Sequence, residues 1–382
     1  MKKFNPLIFL KSLGAGGLAV SFFMYMMFMT KHAWPVPTFD TLITYFQTGN
    51  IIYMILISLS TIGVIFFLVK HFATLIKELK NYAKFKKTEE FKELKNSNAE
   101  VTLMTIPLTL AMSMNVAFIA TVLFIPGLWN VIEYIFPVAL AMFVLIGVYG
   151  LKIYGEYFAR IMTKWNFETE ENNNLSQMIA AFAFAMIGVG FAGSAAMSEI
   201  VSTSVIAMVL STFFLTITFV LVLIKMLVWF KTMFKKWINI EWSPSLWMII
   251  PILTLFGISL VRQRHWLDHN FNAEISLMSN LTMVTIITSV QLVFGYLGYR
   301  VMKMNNYFKD FINGAKNSIW SYALICPWVA LTVFGFFFIH KWFVLTGIVD
   351  KFSIVYFVML LPILYVQLIT VRTLFRLNRK LK

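Results

Sequence analysis

Residues 318–340, SIWSYALICPWVALTVFGFFFIH, decide the class of fold. The run is apolar and has the length of roughly 20 residues that a helix needs to cross a bilayer. Pro327 lacks a backbone N–H and disfavours helical geometry at Cys326 before it, which predicts a kink at 325–327. A broken membrane helix is tolerated where neighbouring helices, side chains or water satisfy the freed backbone groups. The stretch therefore predicts a membrane helix whose break faces a packed interior or a wet cavity.

The whole chain has the composition of a polytopic membrane protein. Of its 382 residues, 59% are hydrophobic and only 13% are charged, which is more apolar surface than a soluble fold of this size could bury. Cys326 is the single cysteine and the five histidines are scattered, so neither a disulfide framework nor a metal or other cofactor is expected. The GxGxxG at Gly188, Gly190 and Gly193 lies inside an apolar run with no strand before it, which argues against a dinucleotide site.

Ten apolar runs predict ten membrane-spanning helices, numbered one to ten, in a single integral membrane domain over residues 1–382. Between spans two and three, residues 70–100 carry mixed charges at helical spacing and predict a solvated amphipathic extension. The spans are predicted at 13–30, 50–69, 102–124, 131–151, 175–198, 200–224, 243–261, 275–299, 318–340 and 352–371.

Positive charge is distributed unequally between the two sides of the membrane. With ten spans both termini lie on one side, and that side holds 27 of the 32 Lys and Arg residues, against 5 on the other. Such an asymmetry predicts cytoplasmic termini. Topology and the attraction of anionic lipid headgroups account for the net charge of +15, so a nucleic-acid partner is not expected.

Helix-breaking residues recur in the odd-numbered spans. They are the glycine cluster 14–17, Pro107, Gly190, Pro251 and Pro327, whereas proline occurs in only two of the even spans. This alternation between odd and even spans predicts an all-α protein of five helical hairpins, with the five odd helices around a central pore and the even helices behind them. The alternative is that these glycines and prolines serve close helix packing alone.

Four segments give the chain a resemblance to a known superfamily: GAGGLAVSFF in span one, TIPLTLAM in span three, PSLWMIIP in span seven and WSYALICP in span nine. They resemble the TehA-like and plant slow-type anion channels, and within that superfamily the TsoY group, whose members carry cysteine or selenocysteine. The resemblance implies a pore lined by the odd helices, a homotrimer with one pore per subunit, and a bacterial cytoplasmic membrane. In the superfamily a phenylalanine before the helix-nine proline plugs the pore; here that position is Cys326, whose smaller thiol would occlude less.

The placement of ionisable residues favours passive conduction of small anions, sulfur oxyanions being one candidate class. The sequence places no Asp, Glu, Lys or Arg in the central part of a span, where a coupled carrier usually needs one. Hydroxyls and backbone groups freed at helix breaks are then expected to stabilise the anion. The predicted pore and gate residues are Cys326, Pro327, Tyr322, Ser321, Pro107, Thr105, Ser113, Pro251, Gly17 and Gly190. Basic rims are expected at Lys70, Lys152 and Lys225 inside and at Arg262 and Arg264 outside.

Cys326 leaves two other interpretations open. One is a membrane-embedded thiol enzyme that acts on a sulfur or selenium compound, because the resemblance places a selenocysteine at a matching site. The other is that Cys326 is a small apolar packing residue. A structural or accessory membrane subunit without its own pore is a third function class. A thiol nucleophile needs an activating base or cation, and His340 lies about 20 Å further along a helix. Transport without enzymatic activity is therefore the preferred prediction, with a small anionic solute and the lipid bilayer as the partners.

Overall fold

The computed structural model describes residues 4–163, 176–233, 238–271 and 276–381, and in these ranges the secondary structure is helical, without strands. Ten of the described helices, together with the segments that extend them, are long and apolar enough to cross a membrane, which confirms that prediction. They are helix one (Phe9–Met29), two (Ile51–Phe85), three (Thr105–Phe124), four (Ile132–Thr163), five (Met178–Met197), six (Val201–Met233), seven (Ile249–Phe271), eight (Leu277–Met304), nine (Ile325–Phe338) and ten (Ile354–Lys380).

Five helices continue at least nine residues beyond the ends of the predicted spans: two, four, six, seven and ten. Helix two does not end near residue 69 but continues to Phe85, so about half of the predicted solvated extension is a direct continuation of the membrane helix, and Glu89–Lys95 forms a further short helix. Helix seven does not end at residue 261 but runs on to Phe271, and it therefore contains both arginines that were assigned to the outer rim. In both places charged residues lower the local hydropathy without interrupting the helical hydrogen bonds.

Burial separates the helices into two layers that alternate along the chain. In the most apolar windows of the odd-numbered spans between 61% and 100% of residues are buried, against 28% to 33% in the even-numbered spans. Helix five is buried in full over that window, whereas the large apolar side chains of helices two and ten are widely exposed. The odd helices form the inner layer, and the apolar exposed face of the even helices is the surface that lipid would cover.

The prolines of the inner layer stand in first turns and not in helix interiors. Pro107, Pro251 and Pro327 are each the third residue of their α-helix, where the missing N–H is one of the groups that has no helical partner anyway. The irregularity lies immediately upstream, because each of these helices follows a 3₁₀ segment. For helix nine the change from 3₁₀ to α geometry falls between Leu324 and Ile325, which is slightly before the predicted kink.

The same cap opens the 3₁₀ segment of four inner spans. An Asn or Ser side chain accepts a hydrogen bond from the backbone N–H two residues later, over 2.9 to 3.2 Å. This arrangement satisfies a donor that would otherwise be unpaired at the helix end. The capping residues and their 3₁₀ segments are Asn5 before Pro6–Ile8, Ser97 before Asn98–Met104, Asn239 before Ile240–Trp247 and Ser318 before Ile319–Leu324.

Contacts link the inner helices into a closed series, and two successive contacts show that helices one and nine run parallel. Helices nine and one approach closely, since a Cβ on Gly14 would lie 2.7 Å from Ile325 and one on Gly17 would lie 2.9 Å from Val329. The remaining links are Thr105 Oγ1 to Pro6 O (2.8 Å) at the start of helices one and three, Asn115 Nδ2 to Met186 Sδ (3.5 Å) between three and five, Arg262 Nη1 to Val189 O (3.0 Å) between five and seven, and Thr254 Oγ1 to Ala330 O (3.4 Å) between seven and nine.

Polar side chains of the outer helices reach into the inner layer. His71 of helix two lies between helices one and three, with Nδ1 2.8 Å from Ser12 O and Nε2 2.8 Å from Ser113 Oγ. Because a buried polar group must be paired, each of these contacts fixes one outer helix against the inner layer. The others are Ser211 Oγ to Gly188 O (2.9 Å), Gln291 Nε2 to Thr254 Oγ1 (2.7 Å) and Gln367 Nε2 to Ser21 Oγ (2.9 Å).

Candidate functional site

A cavity of about 170 Å³ lies among the five inner helices, and every one of them contributes to its wall. Along helix one the lining runs from Leu13 to Met27, a distance of about 21 Å at the helical rise. At the far end it reaches Val36, in the connection that follows helix one. The cavity is therefore long and narrow and follows the axis of the inner layer.

The other end of the cavity is closed. Since the inner helices are parallel, its floor is formed by the first lining residue of each helix: Leu13, Met112, Phe182, Pro251 and Cys326. Beyond the floor lies the layer of 3₁₀ segments, whose side chains Leu7, Met104 and Leu324 are almost completely buried. The described structure thus has a cavity that extends toward the end of helix one and is sealed at the end where the inner helices begin.

Three of the ten predicted pore residues line this cavity. Cys326 and Pro251 belong to the floor, and Gly17 lies one helical turn above it. Gly190 lines a second cavity, and a Cβ at that position would come within 2.2 Å of Phe143 on helix four. Its lack of a side chain is therefore explained by close packing.

The other six predicted residues are buried, and the four that carry hydroxyl groups have partners within the protein. Pro107 and Pro327 occupy buried first-turn positions and do not line the cavity. The four hydroxyls are engaged as follows: Thr105 donates to Pro6 O (2.8 Å), Ser113 donates to Thr109 O (2.9 Å), Ser321 pairs with Tyr307 (2.8 Å) and Tyr322 donates to Asn378 Oδ1 (3.0 Å). These hydroxyls hold elements together and are not directed at the cavity.

Cys326 is buried in an apolar setting, with helix one packed closely beside it. Arg262 is the one charged residue among the described lining residues, and it lies 11 residues beyond the floor residue Pro251, about 16 Å along helix seven. His340 is held by Phe336 O and the Tyr356 hydroxyl, each at 2.9 Å. Among the described residues that line the cavity there is thus no base that could activate the thiol.

Arg262 is the residue that the sequence interpretation misplaced. It was assigned to the outer rim, but it lies inside helix seven and faces the cavity, where Nη1 donates to Val189 O over 3.0 Å. Gly193 makes room for it, because a Cβ there would lie 3.2 Å from Nη1. In the described part of the chain no carboxylate lies within ion-pair distance of Arg262. A sequence signal existed: Ile258, Arg262 and Trp266 follow each other at four-residue intervals on one helical face.

A second cavity, of about 180 Å³, lies between helices three, four and five. Arg262, Asn115 and Phe118 line both cavities and form the partition between them. Asn115 donates through Nδ2 to Ala111 O over 3.2 Å, which leaves its side-chain orientation fixed beside the arginine. The guanidinium is therefore open to two internal spaces and anchored by a single backbone carbonyl.

Searches of protein-family models, curated proteins and solved structures found no match. The resemblance to the TehA-like superfamily accordingly stays a prediction from the four quoted segments.

The chemistry available in this site is electrostatic. Within the described ranges no three His, Cys, Asp or Glu side chains come together as a ligand set for a metal ion. The cavity wall combines one cation, one amide, one hydroxyl and one thiol with apolar side chains. Such a wall can hold a small anion beside Arg262, and it contains no described carboxylate that would repel it.

Proposed function

We propose that this protein is a passive channel or facilitator for small anions, sulfur oxyanions being one candidate class, which cross between the five inner helices. The observation that carries the proposal is Arg262, a cation without a carboxylate partner in the described residues, in the wall of an otherwise apolar internal cavity. A charge inside a membrane protein costs free energy unless another charge or water compensates for it. An entering anion supplies that compensation.

The cavity wall is less suited to cation-coupled transport. Sodium- or proton-coupled carriers place a carboxylate or a set of coordinating oxygens near the middle of the membrane. The described cavity residues include no Asp or Glu, and the hydroxyls nearest the floor donate to backbone carbonyls. The residues of the cavity wall are therefore better suited to passive passage of an anion that one arginine attracts.

Cys326 is proposed as the constriction. It lies on the floor of the cavity, where Ile325 packs against Gly14 and Val329 against Gly17, so helices one and nine are in close contact at this level. A wider path past Cys326 requires a small separation of helices one and nine. The size of the side chain at this position is then expected to control the flux.

The proposal extends to the arrangement in the membrane. The five odd helices would belong to five hairpins around the path, with both termini in the cytoplasm of a bacterium and the chain in its inner membrane. The layering of inner and outer helices and the biased distribution of Lys and Arg support this arrangement. The homotrimer that the resemblance implies is part of the same proposal.

The test is an anion-flux measurement on purified protein in liposomes, with Cys326→Phe, Cys326→Ala and Cys326→Ser compared with the unaltered chain. Efflux of chloride, nitrate and thiosulfate is followed while an ionophore clamps the potential. If side-chain volume controls the path, Phe lowers the flux, Ala leaves it equal or raises it, and Ser behaves like Cys.

Other outcomes separate the alternatives. Loss of function in all three variants would favour a thiol enzyme, because serine keeps the size of cysteine but does not form a nucleophilic anion near neutral pH. Three variants with unaltered flux would assign Cys326 to packing. Liposomes that pass no anion above the protein-free background would refute the proposed function.

A further inference from the structure

A separate basic cavity of about 850 Å³ lies at the end of the bundle where helix ten terminates. One wall is the last part of helix ten, with Arg372, Arg376, Arg379 and Lys380. The opposite wall is the connection 312–317 between helices eight and nine, which leads directly to Ser318, the cap of the 3₁₀ segment before helix nine. This basic cavity is distinct from the two internal cavities and shares no residue with them.

Two of its four cations are held in place by the opposite wall. Arg376 Nη2 donates to Asn313 O over 3.3 Å and Lys380 Nζ donates to Phe311 O over 2.6 Å. These carbonyls lie in the short π-helix Phe308–Asn313. Both acceptors are uncharged backbone carbonyls, so these hydrogen bonds position Arg376 and Lys380 without neutralising their positive charges.

The other two cations are exposed and have no partner in the described structure. Arg372 and Arg379 make neither a hydrogen bond nor an ion pair with any residue that the structure describes. Asp310, in the adjoining π-helix, is already paired with Lys316 over 2.7 Å. A further cation, Lys70 of helix two, lies 4.4 Å from the ring of Phe375, which is itself in the wall.

We propose that this basic cavity binds a phosphate group, supplied either by the headgroup of an anionic lipid or by a soluble phosphate compound. Arginine side chains bind phosphate oxygens in a two-point geometry, and three of them converge here with a lysine. Basic pockets between membrane helices at the cytoplasmic side are suited to anionic headgroups. The positive-inside bias explains why cations are frequent at this end, but it does not require them to share one concave site.

Binding has a structural consequence that general charge attraction lacks. A phosphate between the two walls would tie helix ten to the connection 312–317, and this connection sets the position of the 3₁₀ segment of helix nine. We therefore expect a bound phosphate to raise the thermal stability of the whole protein, because a ligand that binds only the folded state stabilises it.

The experiment compares two double variants of the full chain in detergent. Arg372→Gln/Arg379→Gln removes the two cations that have no protein partner, so the fold is expected to be retained. Lys84→Gln/Arg300→Gln removes two exposed cations at the same end of the bundle, from helices two and eight, and is matched in charge. The midpoint of thermal unfolding is measured with dioleoylphosphatidylglycerol, with dioleoylphosphatidylcholine, and with inorganic pyrophosphate in place of lipid.

Phosphatidylglycerol or pyrophosphate is expected to raise the midpoint of the unaltered protein and of the control variant by about 5 °C at saturation. The cavity variant should lose most of this rise. A rise with phosphatidylglycerol alone identifies a lipid headgroup as the source, and a rise with pyrophosphate alone identifies a soluble phosphate. If both double variants lose the rise in unfolding midpoint equally, the effect is general charge attraction and the proposal is refuted. If neither probe raises the midpoint of the unaltered protein, the proposal is also refuted.

Discussion

Replacement of Arg262 by glutamine is the sharpest test of anion passage. The change removes the one charged side chain among the described residues of the central cavity wall and leaves a neutral polar side chain in its place. Glutamine is shorter than arginine, so the hydrogen bond from Nη1 to Val189 O in helix five is lost together with the charge.

The expected magnitude follows from Coulomb's law. An anion about 4 Å from the guanidinium gains about 4 kcal/mol at an effective dielectric constant of about 20. Since 1.36 kcal/mol corresponds to a factor of ten, the full term is about a thousandfold in occupancy. Water in the cavity screens part of this interaction. We therefore expect the anion concentration for half-maximal flux to rise by about tenfold to a thousandfold.

The assay is concentration-dependent chloride and thiosulfate flux into liposomes at constant ionic strength. Arg264→Gln is the matched control, because Arg264 lies two residues further on the same helix, is bound to Ser279 Oγ (2.8 Å) and does not line the central cavity. Arg262→Lys should restore part of the affinity, since it returns the charge without the planar guanidinium. If Arg262→Gln and Arg264→Gln give the same concentration dependence as the unaltered chain, the proposed role of Arg262 is refuted.

Three further predictions concern packing, the path and topology. Gly190→Ala should lower the free energy of unfolding by about 1–3 kcal/mol, because the added Cβ would lie 2.2 Å from the ring of Phe143 on helix four. Gly155→Ala is the control: the space around Gly155 is open, so this change should raise the free energy of unfolding by up to about 1 kcal/mol. Equal changes of the two variants in thermal unfolding would contradict the prediction. In a cysteine-free background a water-soluble maleimide should label cysteine at the cavity position Val20 faster than at the exposed outer-helix position Leu59, and equal labelling would argue against a hydrated path. A reporter fused after Lys382 should be active only in the cytoplasm, and periplasmic activity would reverse the topology.

The sequence was informative about the membrane helices because hydropathy and helix length are properties of local segments. The recurrence of glycine and proline in the odd-numbered spans also indicated which helices are buried, since two helices approach closely only at small residues such as Gly14 and Gly190. The detail at Pro327 was less predictable. A proline in a long apolar run suggests an interior kink, but the preceding 3₁₀ segment makes it a first-turn residue.

The candidate site was predicted only in part, because hydroxyl groups do not reveal their partners in sequence. Ser113 seemed available to an anion, yet its proton goes to Thr109 O and its oxygen faces His71, 42 residues earlier in the chain. The prediction for Arg262 failed because of its charge. Hydropathy treats any arginine as the end of a span, although this one continues the buried face of helix seven. Both errors involve contacts between distant segments.

These contacts also bear on how selective a path through the cavity would be. Thr254 lines the cavity, but its hydroxyl donates to Ile250 O (3.1 Å) and accepts from Gln291 (2.7 Å), so an outer helix has already engaged it. Asn115 is similarly committed to Ala111 O. Among the described polar groups of the wall, the guanidinium of Arg262 keeps the most unused donors, because only Nη1 is engaged. A path of this kind would discriminate by charge at one point and by size at Cys326, and it would separate anions of equal charge and similar size poorly.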